Sequence, residues 1–169
     1  MYGGDETRPN VSGAEFEVPI GQRYFEDYRV GTVHHYGAIT VDEAEVIAFA
    51  RKFDPQDFHV DPDAAAHGPF GGLIASGWHT AAMMMRLFAD HYLSKVASLA
   101  SPGVDKLRWT RPVRPGDTLS IRVTVLEANV SRSKPDRGVV RTLVEVLNQN
   151  GDLAMSCTAI NLLRRRASA

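Results

Sequence analysis

The chain has 169 residues, of which 44% are hydrophobic and 23% charged, and its formal net charge is −1. This length and composition predict one globular domain with a core of its own. No apolar run reaches the roughly 18 residues that a membrane-spanning helix needs, so we do not expect this chain to span a membrane. A pI near 6.6, without interleaved basic and aromatic residues, argues against nucleic-acid binding.

The first part of the chain predicts an arm followed by a strand. Residues 1–22 are rich in glycine, proline and charge and show no periodicity, so we expect an extended or partly disordered N-terminal arm. A loose alternation of apolar residues then predicts a strand within residues 31–40.

A helix is predicted over residues 41–52. Thr40–Glu43 has the form of a capping box, and apolar residues follow at helical spacing. Pro55 prevents simple continuation of the helix. Asp54 is therefore expected at the C-terminal end of this helix.

The rest of the chain predicts one buried helix and several strands. After the loop Ala66–Gly72, residues 76–93 are apolar on nearly all sides, which is typical of a helix enclosed by other structure. One buried helix and consecutive antiparallel hairpins predict a single α+β domain without an internal repeat. The strand segments, which are separated by turn residues, span 104–113, 117–129, 138–149 and 153–163.

Asp54 and His59 are the main candidates for chemistry. They lie five positions apart beside a helix end and a proline, so both side chains are able to converge on one water or small molecule as an acid/base pair. The alternative is structural, with Asp54 ending a helix and His59 as a partly buried polar residue. Together with the motifs that follow, the catalytic interpretation is favoured.

The start of the buried helix predicts a binding site for a negatively charged oxygen. The first N–H groups of a helix are free donors at the positive end of its dipole. Gly77 is predicted to supply such an N–H, although a small residue is also expected wherever a helix begins in crowded surroundings. Ser76 is predicted as the N-cap.

The other histidines give weaker signals. His34 and His35 are adjacent on a strand, so they face opposite sides. His67 is expected as a solvated loop residue, and His79 as a buried or interface residue of the helix. No spacing of histidines and carboxylates is typical of a metal site, and we predict none.

Charge is distributed unevenly along the chain. Residues 1–103 contain 7 Lys and Arg against 14 Asp and Glu, whereas residues 104–169 contain 12 against 6. Most of these basic side chains are expected on a solvated strand face and in the tail Arg164–Arg166. A minority, with Arg108 and Arg111 as candidates, are predicted to bind phosphates, which suit a planar guanidinium.

The cysteine content and the N-terminus bear on the compartment. The single cysteine, Cys157, excludes an internal disulfide and is expected to be a small buried residue on a strand. Met1–Glu6 is acidic and lacks the basic and apolar regions of a secretory signal. We therefore predict a cytoplasmic protein.

The block around Asp54 resembles a known family, the MaoC-like dehydratases, which include the R-specific enoyl-CoA hydratases of the hotdog fold. The resemblance extends from about Phe25 to Leu163 and is specific because its motifs occur in order and at matching spacing. The matching residues are Asp54, His59, Asp61, Ala64–Ala66, Ser76-Gly77 and Trp109–Asp117.

The resemblance implies a fold and an activity. The fold would be a hotdog domain over residues 23–164, a curved antiparallel sheet wrapped around one long helix, with a short tail at 165–169. The activity would be reversible hydration of 2-enoyl thioesters of coenzyme A to (R)-3-hydroxyacyl thioesters, in acyl-CoA and fatty acid metabolism. The protein would be a homodimer or a dimer of dimers, without a metal or a cofactor other than the coenzyme A of its substrate.

The resemblance also implies roles for residues. Asp54 would act as the base on a water, His59 would orient this water and pass a proton to the α carbon, and the N–H of Gly77 would bind the thioester oxygen. The sequence alone leaves open which of Asp54 and His59 carries out which step. The predicted substrate-binding residues are Gln56, Ser76, Trp78, Arg108 and Arg111.

The sequence departs from the family pattern in two places. Gln56–Phe58 stands where Asn-Pro-Leu is common, and the carboxylate of Asp57 has no counterpart. A serine that lines the site in some members is replaced by Ala81 or Ala82, unless Thr80 supplies the hydroxyl.

Two other functions remain open from the sequence. One is a hotdog thioesterase, which often has a carboxylate on or next to the central helix, whereas residues 76–89 contain none. The other is an acyl-thioester binding subunit without turnover.

Overall fold

The fold consists of one antiparallel sheet and several helices. The computed structural model describes residues 15–167, and within them five strands form one sheet with the order β1-β3-β4-β5-β2. The strands are β1 (Val33–Thr40), β2 (Ser98–Trp109), β3 (Thr118–Val130), β4 (Arg137–Leu147) and β5 (Leu153–Arg164). The α-helices are α1 (Glu43–Phe53), α2 (Asp57–Val60), α3 (Pro62–His67) and α4 (Gly77–His91), and two 3₁₀ helices precede β1 at Ile20–Gln22 and Phe25–Asp27.

Helix α4 lies against the sheet, and the core fills the space between them. The helix packs on β1 and β3. Every second residue of β3 from Leu119 to Val125 is buried, because alternate side chains of a strand face the same side. The buried side chains of α4, including Leu87 and Phe88, meet this face. The predicted α+β fold, with an antiparallel sheet around one long helix, is confirmed.

The predicted first strand of the C-terminal half has different bounds in the structure. We expected a strand over 104–113, but β2 begins at Ser98 and ends at Trp109. Pro102 and Gly103 disfavoured a strand in the sequence. β2 is an edge strand with irregular pairing to β5, and such a position tolerates a proline because one side of the strand has no ladder to interrupt.

Two local predictions before α4 were wrong. The capping box at Thr40 does not form, because Asp42 is the N-cap of α1 and accepts a hydrogen bond from the Glu45 N–H at 2.9 Å. His67 is not in a loop but is the last residue of helix α3. Asp61 is the N-cap of this helix, and its side chain accepts hydrogen bonds from the backbone N–H groups of Asp63 and Ala64. Short helices held by a cap give little periodicity in the sequence.

The described parts of the predicted arm and tail contact the domain. Phe16 packs edge-on against Tyr28 and stacks on His34, with ring centroids 5.2 and 4.4 Å apart. In the tail, Arg165 pairs with Glu26 and Arg166 with Asp27. The remainder of the predicted arm, 1–14, and residues 168–169 lie outside the described residues.

Two further sequence predictions concern Cys157 and membrane-spanning helices. Cys157 is 1% exposed on β5, as predicted, and burial raises the pKa of its thiol. Among residues 15–167, no helix combines the length and the apolar composition that a membrane crossing requires.

Candidate active site

Three elements bring Asp54 and His59 together. Asp54 is the C-cap residue of α1, and its backbone N–H donates to the Ala50 carbonyl at 2.8 Å. The chain then turns into α2, whose third residue is His59. The His59 Nε2 atom lies 3.3 Å from Asp54 Oδ2. The acid and the imidazole are therefore adjacent.

The carboxylate of Asp54 is held by two side-chain donors. The Ser76 hydroxyl donates to Oδ2 at 2.7 Å, and the Gln56 amide donates to Oδ1 at 2.6 Å. Hydrogen bonding from Ser76 lowers the pKa of Asp54 below its usual value, and Gln56 and the nearby His59 ring add to the effect against the cost of burial. Asp54 is thus ionised at neutral pH, and each oxygen keeps a lone pair for a further donor.

The ring of His59 is fixed by a backbone carbonyl. Its Nδ1 atom lies 2.7 Å from the carbonyl oxygen of Ile74, and His59 is only 5% exposed. A carbonyl only accepts hydrogen bonds, so the network assigns a proton to Nδ1. Nε2 is then the ring nitrogen that faces Asp54.

Asp54 and His59 open into a pocket of about 360 Å³. Gly77, at the first position of α4, also lines it, and no protein group within residues 15–167 accepts the Gly77 N–H. The walls are mainly apolar: Phe70, Ile74, Ala75, Trp78, Trp109, Pro112 and Val113, with Thr80, Thr110 and Arg111 as polar members. An acid, an imidazole and a free helix N–H thus face one apolar space.

A larger pocket of about 420 Å³ lies elsewhere, between the segment before β1 and β1 itself. Arg23, His34 and Tyr36 line it, but Arg23 is bound to the carbonyls of His91 and Tyr92 at the end of α4. Because acid/base chemistry needs a paired donor and acceptor, the smaller pocket is the candidate active site.

The predicted substrate-binding residues separate into two groups. Trp78 and Arg111 line the pocket. Ser76 is fully buried and Gln56 is exposed, and both hydrogen-bond to Asp54 from outside the pocket lining. Arg108 also lies outside the lining and donates to the adjacent Leu107 carbonyl. Arg108 lies on β2, whereas Arg111 follows the end of this strand at Trp109.

Ser76 has a second role that the sequence did predict. It is the N-cap of α4, and its hydroxyl oxygen accepts a hydrogen bond from the Trp78 N–H at 3.2 Å. One hydroxyl therefore joins the start of α4 to Asp54.

Several other residues of α4 and α2 lie outside the pocket lining. Met83 and Met84 belong to the core, Met85 is exposed, and none of the three lines the pocket. His79 is buried outside the pocket lining and stacks on Phe49. Asp57 begins α2 and is exposed.

Several pocket residues were missed by sequence reasoning. Trp109, Thr110 and Phe70 line the pocket from segments far from Asp54 in the chain. The motif Trp109–Asp117 was a signal for them, but only the fold places its beginning beside α4. Thr80, which we considered as a replacement for a missing serine, does line the pocket, and its hydroxyl lies 3.4 Å from the Ser76 carbonyl oxygen.

The hydrogen bonds to Asp54 predict the pH dependence of the site. Since Ser76 is the main cause of the lowered pKa, Ser76→Ala should raise the pKa of Asp54, and the acid limb of kcat/KM should move to higher pH. Gln56→Ala should move it in the same direction by less. Ser76→Ala should also cost about 1 kcal/mol of stability through the lost cap, which Gln56→Ala should not.

The measurement is a pH profile of kcat/KM for both variants and the wild-type chain. The acid limb should move in both variants, because each loses a hydrogen-bond donor to Asp54, although only Ser76→Ala should lose stability. Acid limbs that coincide in all three proteins would show that these hydrogen bonds do not set the ionisation of Asp54.

Comparison with known proteins identifies the family. The model of the MaoC like domain matches residues 29–148. The chain belongs to the MaoC-like family. Among curated relatives of this family, the 3-hydroxyacyl-thioester dehydratase Z of Mycobacterium tuberculosis is 34% identical over 128 residues, which are 75% of this chain and 83% of the relative.

Solved structures agree with this membership. The MaoC-like dehydratase of Rhodospirillum rubrum superposes with a TM-score of 0.80 at 41% identity, covering 86% of this chain and 99% of the other. The R-hydratase PhaJ1 of Pseudomonas aeruginosa gives a TM-score of 0.67 at 27% identity, covering 85% and 86%. The predicted family resemblance and the hotdog fold are therefore confirmed.

Proposed function

We propose that the protein adds water reversibly across the 2,3 double bond of enoyl thioesters of coenzyme A to give (R)-3-hydroxyacyl thioesters. The observation that carries this proposal is the Asp54–His59 pair, 3.3 Å apart, in one pocket with the free N–H of Gly77. Membership of a family that includes hydratases and dehydratases supports a hydro-lyase. The names of the relatives, a 3-hydroxyacyl-thioester dehydratase and an R-hydratase, support the substrate class and the (R) configuration.

The proposed reaction begins with a water held between Asp54 and His59. Asp54 accepts a proton from this water as its oxygen attacks carbon 3 of the enoyl group. Electron density moves to the thioester oxygen, where the N–H of Gly77 at the start of α4 stabilises the developing charge. Carbon 2 then takes a proton from Nε2 of His59, and this step requires that His59 starts the cycle with protons on both ring nitrogens.

Proton transfer between the two residues completes the cycle. The pKa of Asp54 is held low by Ser76, so a proton taken from water passes on readily to His59, whose Nε2 atom is 3.3 Å away. Both residues then return to their starting states. The addition of water involves no net oxidation or reduction, and the proposal requires no cofactor besides the coenzyme A of the substrate.

We further propose that the protein is cytoplasmic and forms a homodimer or a dimer of dimers. β2 is an edge strand of the sheet, and Val104 and Trp109 on it are 48% and 44% exposed. A free edge with exposed apolar side chains favours pairing with a second copy.

Hydrolysis of the thioester is the second candidate function. The sequence argued against it because residues 76–89 of the central helix contain no carboxylate. In the structure, however, Asp54 hydrogen-bonds to Ser76 at the start of α4, so a carboxylate does lie next to this helix. The same Asp54 is positioned to activate a water toward the carbonyl carbon, with Gly77 again binding the oxygen.

One assay separates the two candidates. A series of enoyl-CoA substrates from crotonyl-CoA upward is followed by loss of the conjugated enoyl absorbance, with free thiol monitored in parallel. Hydration predicts absorbance loss without thiol release. Thiol release that matches the absorbance loss would make the protein a thioesterase, and binding without either change would make it a binding subunit.

Arg111 is proposed to bind the phosphates of coenzyme A. It lines the pocket and is 3.5 Å from Asp152 in a solvent-exposed pair, a weak interaction that leaves the guanidinium available. Arg111→Glu should raise KM for CoA substrates by about tenfold and hardly change kcat, since this contact is uniform through the reaction.

The matched control is Arg108→Glu, the same charge reversal outside the pocket lining. It should change KM far less, and added salt should raise KM of the wild-type chain more than that of Arg111→Glu. Equal KM values for the two variants would mean that the phosphates are bound elsewhere.

A further inference from the structure

The indole of Trp109 lies directly on Gly77. Its Nε1–H donates a hydrogen bond to the Gly77 carbonyl at 2.8 Å. A Cβ atom at position 77 would lie 2.5 Å from Cε2, 2.7 Å from Cδ2 and 2.8 Å from Nε1 of the indole. The ring therefore occupies the space that any side chain at position 77 would need.

This contact explains why position 77 is glycine. Gly77 is the first residue of α4 and has no positive φ, so its backbone conformation is open to other residues. The three atoms nearest to an added Cβ all belong to Trp109, which therefore excludes a side chain. The hydrogen bond and the steric contact together fix the backbone of Gly77 from the side of β2.

The adjacent peptide unit is also held. The Ser76 carbonyl, which belongs to the same peptide as the Gly77 N–H, accepts a hydrogen bond from the Thr80 N–H at 3.0 Å. The ring of Trp78 packs edge-on against Trp109, with centroids 5.2 Å apart. The direction of the Gly77 N–H is thus set by the helix on one side and by Trp109 on the other.

We propose that Trp109 is a positioning residue that aims the Gly77 N–H at the thioester oxygen of the substrate. This inference rests on the proposed hydratase function and deepens it. Trp109 contributes no proton and no charge to the reaction. It acts through Gly77, and a displacement of about 1 Å at a catalytic donor is enough to cost up to about a hundredfold in rate.

The first test removes the indole donor and keeps a ring. Trp109→Phe should lower kcat by about tenfold or more and change KM by less, because the Gly77 donor acts mainly in the transition state. Trp78→Phe is the matched comparison, since Trp78 lines the same pocket without a hydrogen bond to Gly77. Trp78→Phe should change KM more than kcat. If kcat and KM change in the same proportion in both variants, the proposal is overturned.

A spectroscopic test does not depend on turnover. Butyryl-CoA, which has no double bond to hydrate, is bound with an isotopically labelled carbonyl, and its C=O stretch is read by infrared difference spectroscopy. The stretch should move to lower frequency on the wild-type chain and return toward the free value on Trp109→Phe. An equal shift of the C=O stretch on the wild-type chain and on Trp109→Phe would overturn the positioning role. A shift that depends on Trp109, in a protein that hydrates no enoyl-CoA, would overturn only the proposed function.

A third test concerns the space around Gly77. Gly77→Ala should lower the Tm of the wild-type chain because the new methyl group displaces the indole. In a Trp109→Ala background the same substitution should not lower Tm, since alanine is the better helix former. An equal loss of Tm in both backgrounds would contradict the contact.

Discussion

Asp54→Asn and His59→Ala are each expected to lower hydration by at least about a hundredfold, the low end for positioned acid/base groups. Asparagine keeps the shape of Asp54 and still accepts the hydrogen bond of Ser76, but it cannot take a proton from water. Alanine at position 59 removes the imidazole that faces Asp54 at 3.3 Å. Steady-state kinetics with crotonyl-CoA measure both effects.

The double variant tests whether the two residues share one water. Residues that act as a unit give effects that are far from additive, so the double variant should be little worse than the poorer single variant. Circular dichroism and the oligomeric state should match those of the wild-type chain. Full activity in either single variant would remove this pair from the mechanism.

Arg23→Met is expected to destabilise the protein by about 3 kcal/mol, because it deletes charged hydrogen bonds in a buried place. Arg23 is 8% exposed, and its Nη1 donates to the carbonyls of His91 and Tyr92 at 2.7 and 3.2 Å. Its guanidinium also lies 3.7 Å from the centre of the Phe16 ring. Arg23 therefore satisfies and neutralises the C-terminal end of α4.

The free energy of unfolding is measured by urea denaturation, and Arg23→Lys is the matched control. Lysine keeps the positive charge but loses the second donor of the guanidinium, Nε, which donates to the Val18 carbonyl at 3.2 Å, so the loss of stability should be intermediate. The kcat of the folded protein should be retained in both variants, because α4 has 15 residues and its two ends are ~20 Å apart. A loss of kcat without a loss of stability would instead give Arg23 a part in function.

Much of the framework was predictable because it depends on local patterns. The alternation of buried side chains in β3 follows a period of two residues, and Ser76 has the chemistry of an N-cap. The position of Asp54 at the end of α1 followed from Pro55. These features need only the residues near each element. The expectation that α4 is enclosed on nearly all sides was wrong within the described residues, because Trp78 and Met85 on it are 59% and 44% exposed.

The remainder depends on contacts between distant segments. The hydrogen bond from Ser76 to Asp54 spans 22 positions, and the one from Trp109 to Gly77 spans 32. Neither leaves a periodic signal, so Ser76 was predicted only as a cap and as a substrate contact. The site residues themselves stay predictions, since the structure gives their positions and not their roles.

Dehydration of chiral substrates tests the central claim most directly. (R)-3-hydroxybutyryl-CoA and (S)-3-hydroxybutyryl-CoA are supplied separately to the wild-type chain and to Asp54→Asn, and formation of the conjugated enoyl thioester is followed by its absorbance. We predict enoyl formation from the (R) substrate with the wild-type chain, and at least about a hundredfold less with Asp54→Asn. Equal rates with Asp54→Asn, or a preference for the (S) substrate, would contradict the account.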